Sequence, residues 1–236
     1  MLFLLVENKL DFKEYKEKRG GCMKSAGQCG DDIEIIIFDF GGVLAEEGYA
    51  HGLRAIAAKH GLNEPDFSDL AHDLIHKTGY LTGHADERTY WQAIRNNTGI
   101  TDSDAALHKE ILSRFVLRPW MFELVKKIKS AGIGVAVLSD QTDWLDELNR
   151  RDDFFKYFDA VYNSYHLGKS KVDPSLFSDI ASYLKRSPEK LLFIDDTERH
   201  CERARRMGIR SIRYAYRDSF LRELERYCPF LFTSTD

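Results

Sequence analysis

Three short apolar runs each stop at a residue suited to phosphate chemistry. Ile35-Ile36-Ile37-Phe38 stops at Asp39, Val135-Ala136-Val137-Leu138 at Ser139, and Leu191-Leu192-Phe193-Ile194 at Asp195-Asp196. A carboxylate is a weak nucleophile in water, yet it attacks phosphorus when the phosphate's charge is offset and the approach is held in line. A hydroxyl can donate to a phosphoryl oxygen, and paired carboxylates suit a hard cation such as Mg²⁺. Two like charges about 4 Å apart cost roughly 4 kcal/mol at an effective dielectric near 20. A pocket that gathers Asp39, Asp195 and Asp196 therefore needs a cation, and a phosphate dianion adds to that need.

Such convergence needs a particular scaffold. Runs of four apolar residues bounded by turn chemistry read as strands buried on both faces, the kind found in a parallel sheet covered by helices. Ligands of these sheets collect beyond the carboxyl ends of the strands, where all three polar tips would lie. The expected fold is α/β, a Rossmann-like parallel sheet sandwiched by helices, with an inserted helical unit. After the Gly41-Gly42 turn, residues 45–118 carry helical patterns and no buried strand. Leu53, Ile56 and Ala57 share one face, Leu70, Leu74 and Ile75 a second, and Tyr90, Trp91 and Ile94 a third. Thr101 to Asp104 reads as a helix start before Leu107, Ile111 and Leu112. From Pro119 onward strand and helix alternate, as right-handed parallel crossovers require. The core is thus expected over 33–44 and 119–236, and an inserted helical unit over 45–118.

The first 32 residues show neither a clear apolar period nor turn punctuation and read as an extension, with Met23 a second candidate start. Cys22, Cys29, Cys201 and Cys228 are scattered without metal-ligand spacing, which fits reduced cytosolic thiols and a cytoplasmic protein. With 236 residues, 43% of them apolar and 31% charged, the chain is sized for a soluble domain plus an insertion. No apolar stretch approaches the 18 or so residues that span a membrane. A net charge of −4 argues against a general nucleic-acid surface, and Arg203, Arg205 and Arg206 read as a solvated helix face.

Phe38-Asp39-Phe40-Gly41-Gly42-Val43-Leu44, Leu138-Ser139-Asp140, Gly168-Lys169-Ser170-Lys171-Val172-Asp173-Pro174 and Phe193-Ile194-Asp195-Asp196 together resemble the haloacid dehalogenase-like hydrolase superfamily in motif, order and spacing. The resemblance spans residues 34–214, and the insertion looks like the helical cap of its subgroup I. It implies a phosphatase acting on a small phosphorylated metabolite, with Asp39 as the nucleophile of an aspartyl-phosphate intermediate. Mg²⁺ would be bound by Asp39, Asp196 and the Gly41 carbonyl, with Asp195 either on the ion or behind a ligand. Lys171 would balance the nucleophile and the phosphoryl group, and Ser139 would donate to a phosphoryl oxygen. Backbone N–H groups at Gly41 and Gly42 would complete the phosphate cradle.

The chain also departs from the pattern. Phosphatases of this superfamily usually carry a second aspartate two residues after the nucleophile, which protonates the leaving oxygen and later activates water. Here that residue is Gly41, and general acid-base help is typically worth 10² to 10⁴ in rate. Some resembling members with glycine there are sugar-phosphate phosphatases. Glu46, Glu47 and His51, just downstream, are candidate substitutes. Haloacid dehalogenases also lack the second aspartate, but they need no metal and carry Ser and Asn where this chain has Asp195-Asp196. A phosphometabolite-binding or interaction module with weak catalysis is the other alternative. Val172 and His200 stand where proline and asparagine are frequent, and Tyr80, His84, Arg88 and Trp91 are candidates for lining the cap side of the pocket.

Overall fold

A computed structural model describes residues 33–232, and its layers follow from alternation along the first strand. In β1 (Ile35–Phe38) all four side chains are buried, Ile36 and Phe38 toward one face of the sheet and Ile35 and Ile37 toward the other. Alongside it run β2 (Gly134–Ser139), β3 (Ala160–Asn163), β4 (Leu191–Asp195) and β5 (Arg210–Arg213). The order is β3-β2-β1-β4-β5, and every pairing is parallel. The chain moves outward from β1 in one direction, then returns to place β4 on its other side. The switch point therefore lies between β1 and β4.

Between β1 and β2 come α1 (Gly48–His60), α2 (Glu64–Lys77), α3 (Glu87–Thr98), α4 (Asp104–Leu112) and α5 (Pro119–Ser130). The remainder holds α6 (Trp144–Asp152), α7 (Ser164–Leu167), α8 (Ser175–Tyr183), α9 (Glu198–Arg206) and α10 (Arg217–Tyr227). Leu176, Phe177 and Ile180 of α8 and Ala204 of α9 cover one face with Ile35 and Ile37. The other face, with Ile36 and Phe38, packs into a continuous core that includes α5, α6, α10 and the inserted helices.

Local chemistry starts the inserted helices where the sequence indicates. Asp86 accepts from the Thr89 N–H at 2.8 Å and Ser103 from the Ala106 N–H at 3.3 Å, satisfying N–H groups that a helix start leaves open. The buried faces of α1, α3 and α4 contain the residues expected. In α2 the fully buried positions are Phe67, Ala71 and Ile75, whereas Leu70 and Leu74 are half-buried. The helix begins at Glu64-Pro65, and its inward stripe runs through Phe67, Ala71 and Ile75.

Two linkers connect the inserted helices to the sheet, and they pair. Glu46 N–H donates to the Val116 carbonyl at 2.8 Å and Arg118 N–H to Leu44 at 2.9 Å. The Arg118 guanidinium bonds the carbonyls of Gly42 and Val43 and both carboxylate oxygens of Glu46. Among the described residues no helix is long and apolar enough to cross a membrane. The expected extension over residues 1–32, with Met23, Cys22 and Cys29, lies outside the described residues.

Candidate active site

Strand register assembles the site. Phe38 is paired with Val137 on one side and Ile194 on the other, so Asp39 comes level with Asp195 and one residue short of Ser139. The Asp39 N–H donates to the Ile194 carbonyl at 2.8 Å, extending the ladder one residue past the end of β1. The Phe40 N–H then turns back to Asp39 Oδ1 at 2.6 Å. Ligand oxygens of Asp39, Asp195 and Asp196 all lie within 4.8 Å of one another. Residues separated by more than 150 positions thus share one pocket because their strands are neighbours.

Lys171 reaches this pocket from the turn before α8. Its Nζ lies 2.7 Å from Asp195 Oδ2 and 2.8 Å from Asp39 Oδ1, and the side chain is wholly enclosed. The stem passes over the Phe193 ring, with Nζ 5.4 Å from the centroid. Asp140 anchors the turn, accepting the Lys171 backbone N–H at 2.8 and 3.0 Å. On the far side Asp195 Oδ1 accepts from the Thr197 N–H at 2.8 Å and contacts His200 Nδ1 at 3.1 Å. Asp195 is therefore fixed by Lys171, Thr197 and His200, while Asp196 stands further out and takes a 3.3 Å bond from the Thr197 hydroxyl.

The titration behaviour follows from this arrangement. Burial pushes Asp39 well above the ordinary carboxylate range, and although Lys171 opposes the shift, Asp195 and Asp196 add to it. Burial and the charge of Asp195 raise Asp196 as well. For Asp195 burial works the same way, but the Lys171 charge and the His200 contact outweigh it and leave it depressed. Lys171 would be lowered by burial, yet Asp195, Asp39 and Asp140 hold it above its usual value. One lysine offsets one of the three carboxylates, and the raised pair Asp39 and Asp196 is what a divalent cation would relieve.

The two glycines fit this geometry in different ways. Gly42 has φ +75°, and a Cβ there would stand 2.1 Å from Asp196 Oδ2, so only glycine lets that carboxylate close on the loop. At Gly41 a Cβ would stand 2.7 Å from Glu47 Oε2. Glu47 reaches back over the loop from the N-cap of α1, where its Oε1 accepts from the Ala50 N–H at 3.3 Å. Burial is the main reason its carboxyl is pushed up to about 7.

The other sequence candidates fall differently. Ser139 ends β2, buried, beside the tip of β1. Glu46 is taken up by Arg118, and His51 is exposed on an outer groove with Arg54, Ala55, Ala58 and Arg114. Tyr80 and Trp91 are fully buried in an aromatic cluster around Trp144, and His84 and Arg88 are exposed. Packing, rather than pocket lining, accounts for Tyr80 and Trp91, while His84 and Arg88 lie on the surface. Asp140 and His200 hold Lys171 and Asp195, roles the sequence reading left unassigned. Asp140 follows Ser139 in the Leu138-Ser139-Asp140 motif, but only the fold shows that its carboxylate turns toward the Lys171 loop.

A parallel α/β protein with an acidic centre at the sheet's switch point is the class these observations define. Residues 33–208 match the haloacid dehalogenase-like hydrolases, and the chain belongs to that family. Over 188 residues it is 27% identical to a phosphorylated carbohydrates phosphatase of Thermotoga maritima, covering 76% of this chain and 84% of that protein. It is 28% identical over 121 residues to bifunctional epoxide hydrolase 2 of Rattus norvegicus, 48% of this chain but only 21% of the rat protein. A solved family enzyme of Bacteroides thetaiotaomicron superposes with a TM-score of 0.67 at 24% identity, covering 80% of this chain and 98% of that one. The same Bacteroides enzyme, in complex with magnesium and inorganic phosphate, gives a TM-score of 0.65 at 22% identity over the same shares.

Proposed function

We propose that this hydrolase is a Mg²⁺-dependent phosphatase of a small phosphorylated metabolite, of the sugar-phosphate type, working in the cytoplasm. The observation that carries the reading is the trio Asp39, Asp195 and Asp196 gathered within 4.8 Å beside the enclosed Lys171. The resemblance to the Thermotoga phosphatase over most of both chains supports the substrate class. The donor set is all oxygen, which suits Mg²⁺, and the Bacteroides relative was solved with that ion.

Mg²⁺ held by Asp39, Asp196 and the Gly41 carbonyl, with Asp195 beside them, would supply the positive charge that lets a phosphate dianion enter. Asp39 attacks phosphorus, the bond to the leaving oxygen breaks, and an aspartyl-phosphate forms that water then hydrolyses. Lys171 keeps Asp39 oriented and offsets charge on the transferring group, while Ser139 and the N–H groups of the Gly41-Gly42 turn bind phosphoryl oxygens. The inserted helices act as a cap that excludes water during the first step and selects the substrate. Dehalogenation is disfavoured because a metal-free reaction has no use for the Asp195-Asp196 pair.

Hydrolysis of p-nitrophenyl phosphate and of a sugar-phosphate panel, with Mg²⁺ and with EDTA, tests the reading. Turnover that needs Mg²⁺ and disappears in Asp39→Asn is expected. Phosphate binding without turnover on any substrate would favour a binding module, and Mg²⁺-independent chloride release from 2-chloropropionate would favour a dehalogenase.

A further inference from the structure

The loss of the second aspartate at residue 41 leaves the proposed phosphatase without its usual proton carrier, and the fold places another carboxyl in that space. A Cβ built on Gly41 would meet Glu47 Oε2 at 2.7 Å, closer than real Cβ contacts come. The carboxylate oxygen thus stands beside the space a residue 41 side chain would enter, and the two cannot coexist without rearrangement. The same glutamate is directed by its own helix: Oε1 is bound to the Ala50 N–H, which leaves Oε2 as the oxygen facing the Gly41 loop. Glu46 and His51, the neighbouring alternatives, are engaged with Arg118 or exposed on the outer groove.

We propose that Glu47 is the catalytic acid and base, delivered from the first inserted helix in place of a side chain at residue 41. This rests on the phosphatase reading. As Asp39 attacks, the phosphorus bond to the leaving oxygen breaks and that oxygen takes the proton of the Glu47 carboxyl, giving a free alcohol, an aspartyl-phosphate and a Glu47 carboxylate. Water then attacks phosphorus and passes one proton to Glu47. The bond to Asp39 breaks, inorganic phosphate leaves as its monohydrogen form, and both carboxyl groups return to their starting states. Because α1 carries the acid, proton transfer is available only while the inserted helices are seated on the sheet domain.

Substituted phenyl phosphates of increasing leaving-group basicity provide the test, with Glu47→Ser chosen because serine preserves a helix N-cap. Wild-type rates are expected to vary little across the series. Those of Glu47→Ser should fall by about 10² to 10⁴ for phenyl phosphate, with a far smaller loss in the first-turnover burst from p-nitrophenyl phosphate. Gly41→Asp added to Glu47→Ser should restore at least part of the phenyl phosphate rate, since the carboxyl then comes from the loop. Glu47→Gln, which keeps size and cap acceptor, should behave as Glu47→Ser. If both variants match wild type across the series, or lose rate equally on every leaving group without rescue, Glu47 is a helix cap and the proposal falls. An inactive wild type would instead overturn the phosphatase reading and this proposal with it, whereas Asp39-dependent turnover unaffected by residue 47 would overturn this proposal alone.

Discussion

The Lys171 ammonium sits 2.7 Å from Asp195 and 2.8 Å from Asp39, with none of the lysine side chain exposed. Breaking a buried pair leaves an uncompensated charge and typically costs about 3–5 kcal/mol. Lys171→Met should therefore lower the urea midpoint substantially as well as abolish turnover. Lys171→Arg should fail too, because a bulkier planar guanidinium does not replace a compact ammonium enclosed beside Phe193 and bonded to both carboxylates. Urea unfolding followed by circular dichroism, with p-nitrophenyl phosphate assays on the folded fraction, checks both outcomes.

Gly42 makes a second, separable prediction. An alanine methyl there would lie 2.1 Å from Asp196 Oδ2 on a backbone at φ +75°. The left-handed conformation adds about 1–2 kcal/mol for a non-glycine residue, and relief comes most readily by displacing Asp196. Gly42→Ala is expected to raise the Mg²⁺ concentration that gives half-maximal activity by at least tenfold while the protein stays folded. Titrating activity with Mg²⁺, beside a thermal melt, separates loss of the ion from loss of structure.

Much of this site was legible because strand tips are legible. A run such as Ile35 to Phe38 has one sensible environment, and its end marks where Asp39 must stand. The family resemblance then supplied the order in which the tips meet. What the sequence could not give was side-chain direction. Asp140 toward the Lys171 loop, His200 toward Asp195 and Glu47 over Gly41 each depend on a rotamer fixed by neighbours distant in the chain. In α2 the expected Ile75 is buried and Leu74 packs against the core, but Phe67 takes the place expected of Leu70, since both satisfy helical periodicity and only the packing partner decides between them. Tyr80 and Trp91, for which packing and pocket lining were both open, are packing residues that seat the inserted helices against Trp144.

That seat centres on Trp144, the first residue of α6, which lies 5.6 Å from Tyr80, 6.0 Å from Trp91 and 6.2 Å from Tyr49 between ring centroids. Removing a buried tryptophan side chain typically costs about 3–5 kcal/mol. Trp144→Ala should therefore destabilise the protein by that order and loosen the inserted helices, making them the first region to gain amide exchange. The indole Nε1 has no hydrogen-bond partner among the described residues, so Trp144→Phe forfeits area but no bond and should cost less than half as much. Hydrogen exchange by mass spectrometry would show whether protection falls first over 48–112 or uniformly.

His108 gives the same junction a pH dependence. Its Nδ1 lies 2.9 Å from Glu87 on α3 and its Nε2 3.0 Å from Glu147 on α6, with Lys109 and Arg151 lining the same groove. Burial alone would lower its pKa, but the hydrogen bonds and charges of Glu147 and Glu87 outweigh it and hold the imidazole above its ordinary value. A group whose pKa is higher folded than unfolded contributes stability that is complete below the unfolded value, near 6.5, and fades as pH climbs through the folded one. His108→Gln should thus cost on the order of 1 kcal/mol at pH 5.5 and clearly less at pH 8.5. Comparing variant with wild type at each pH cancels the titrating groups away from this junction, and an equal cost at both would mean that the imidazole contributes shape rather than charge.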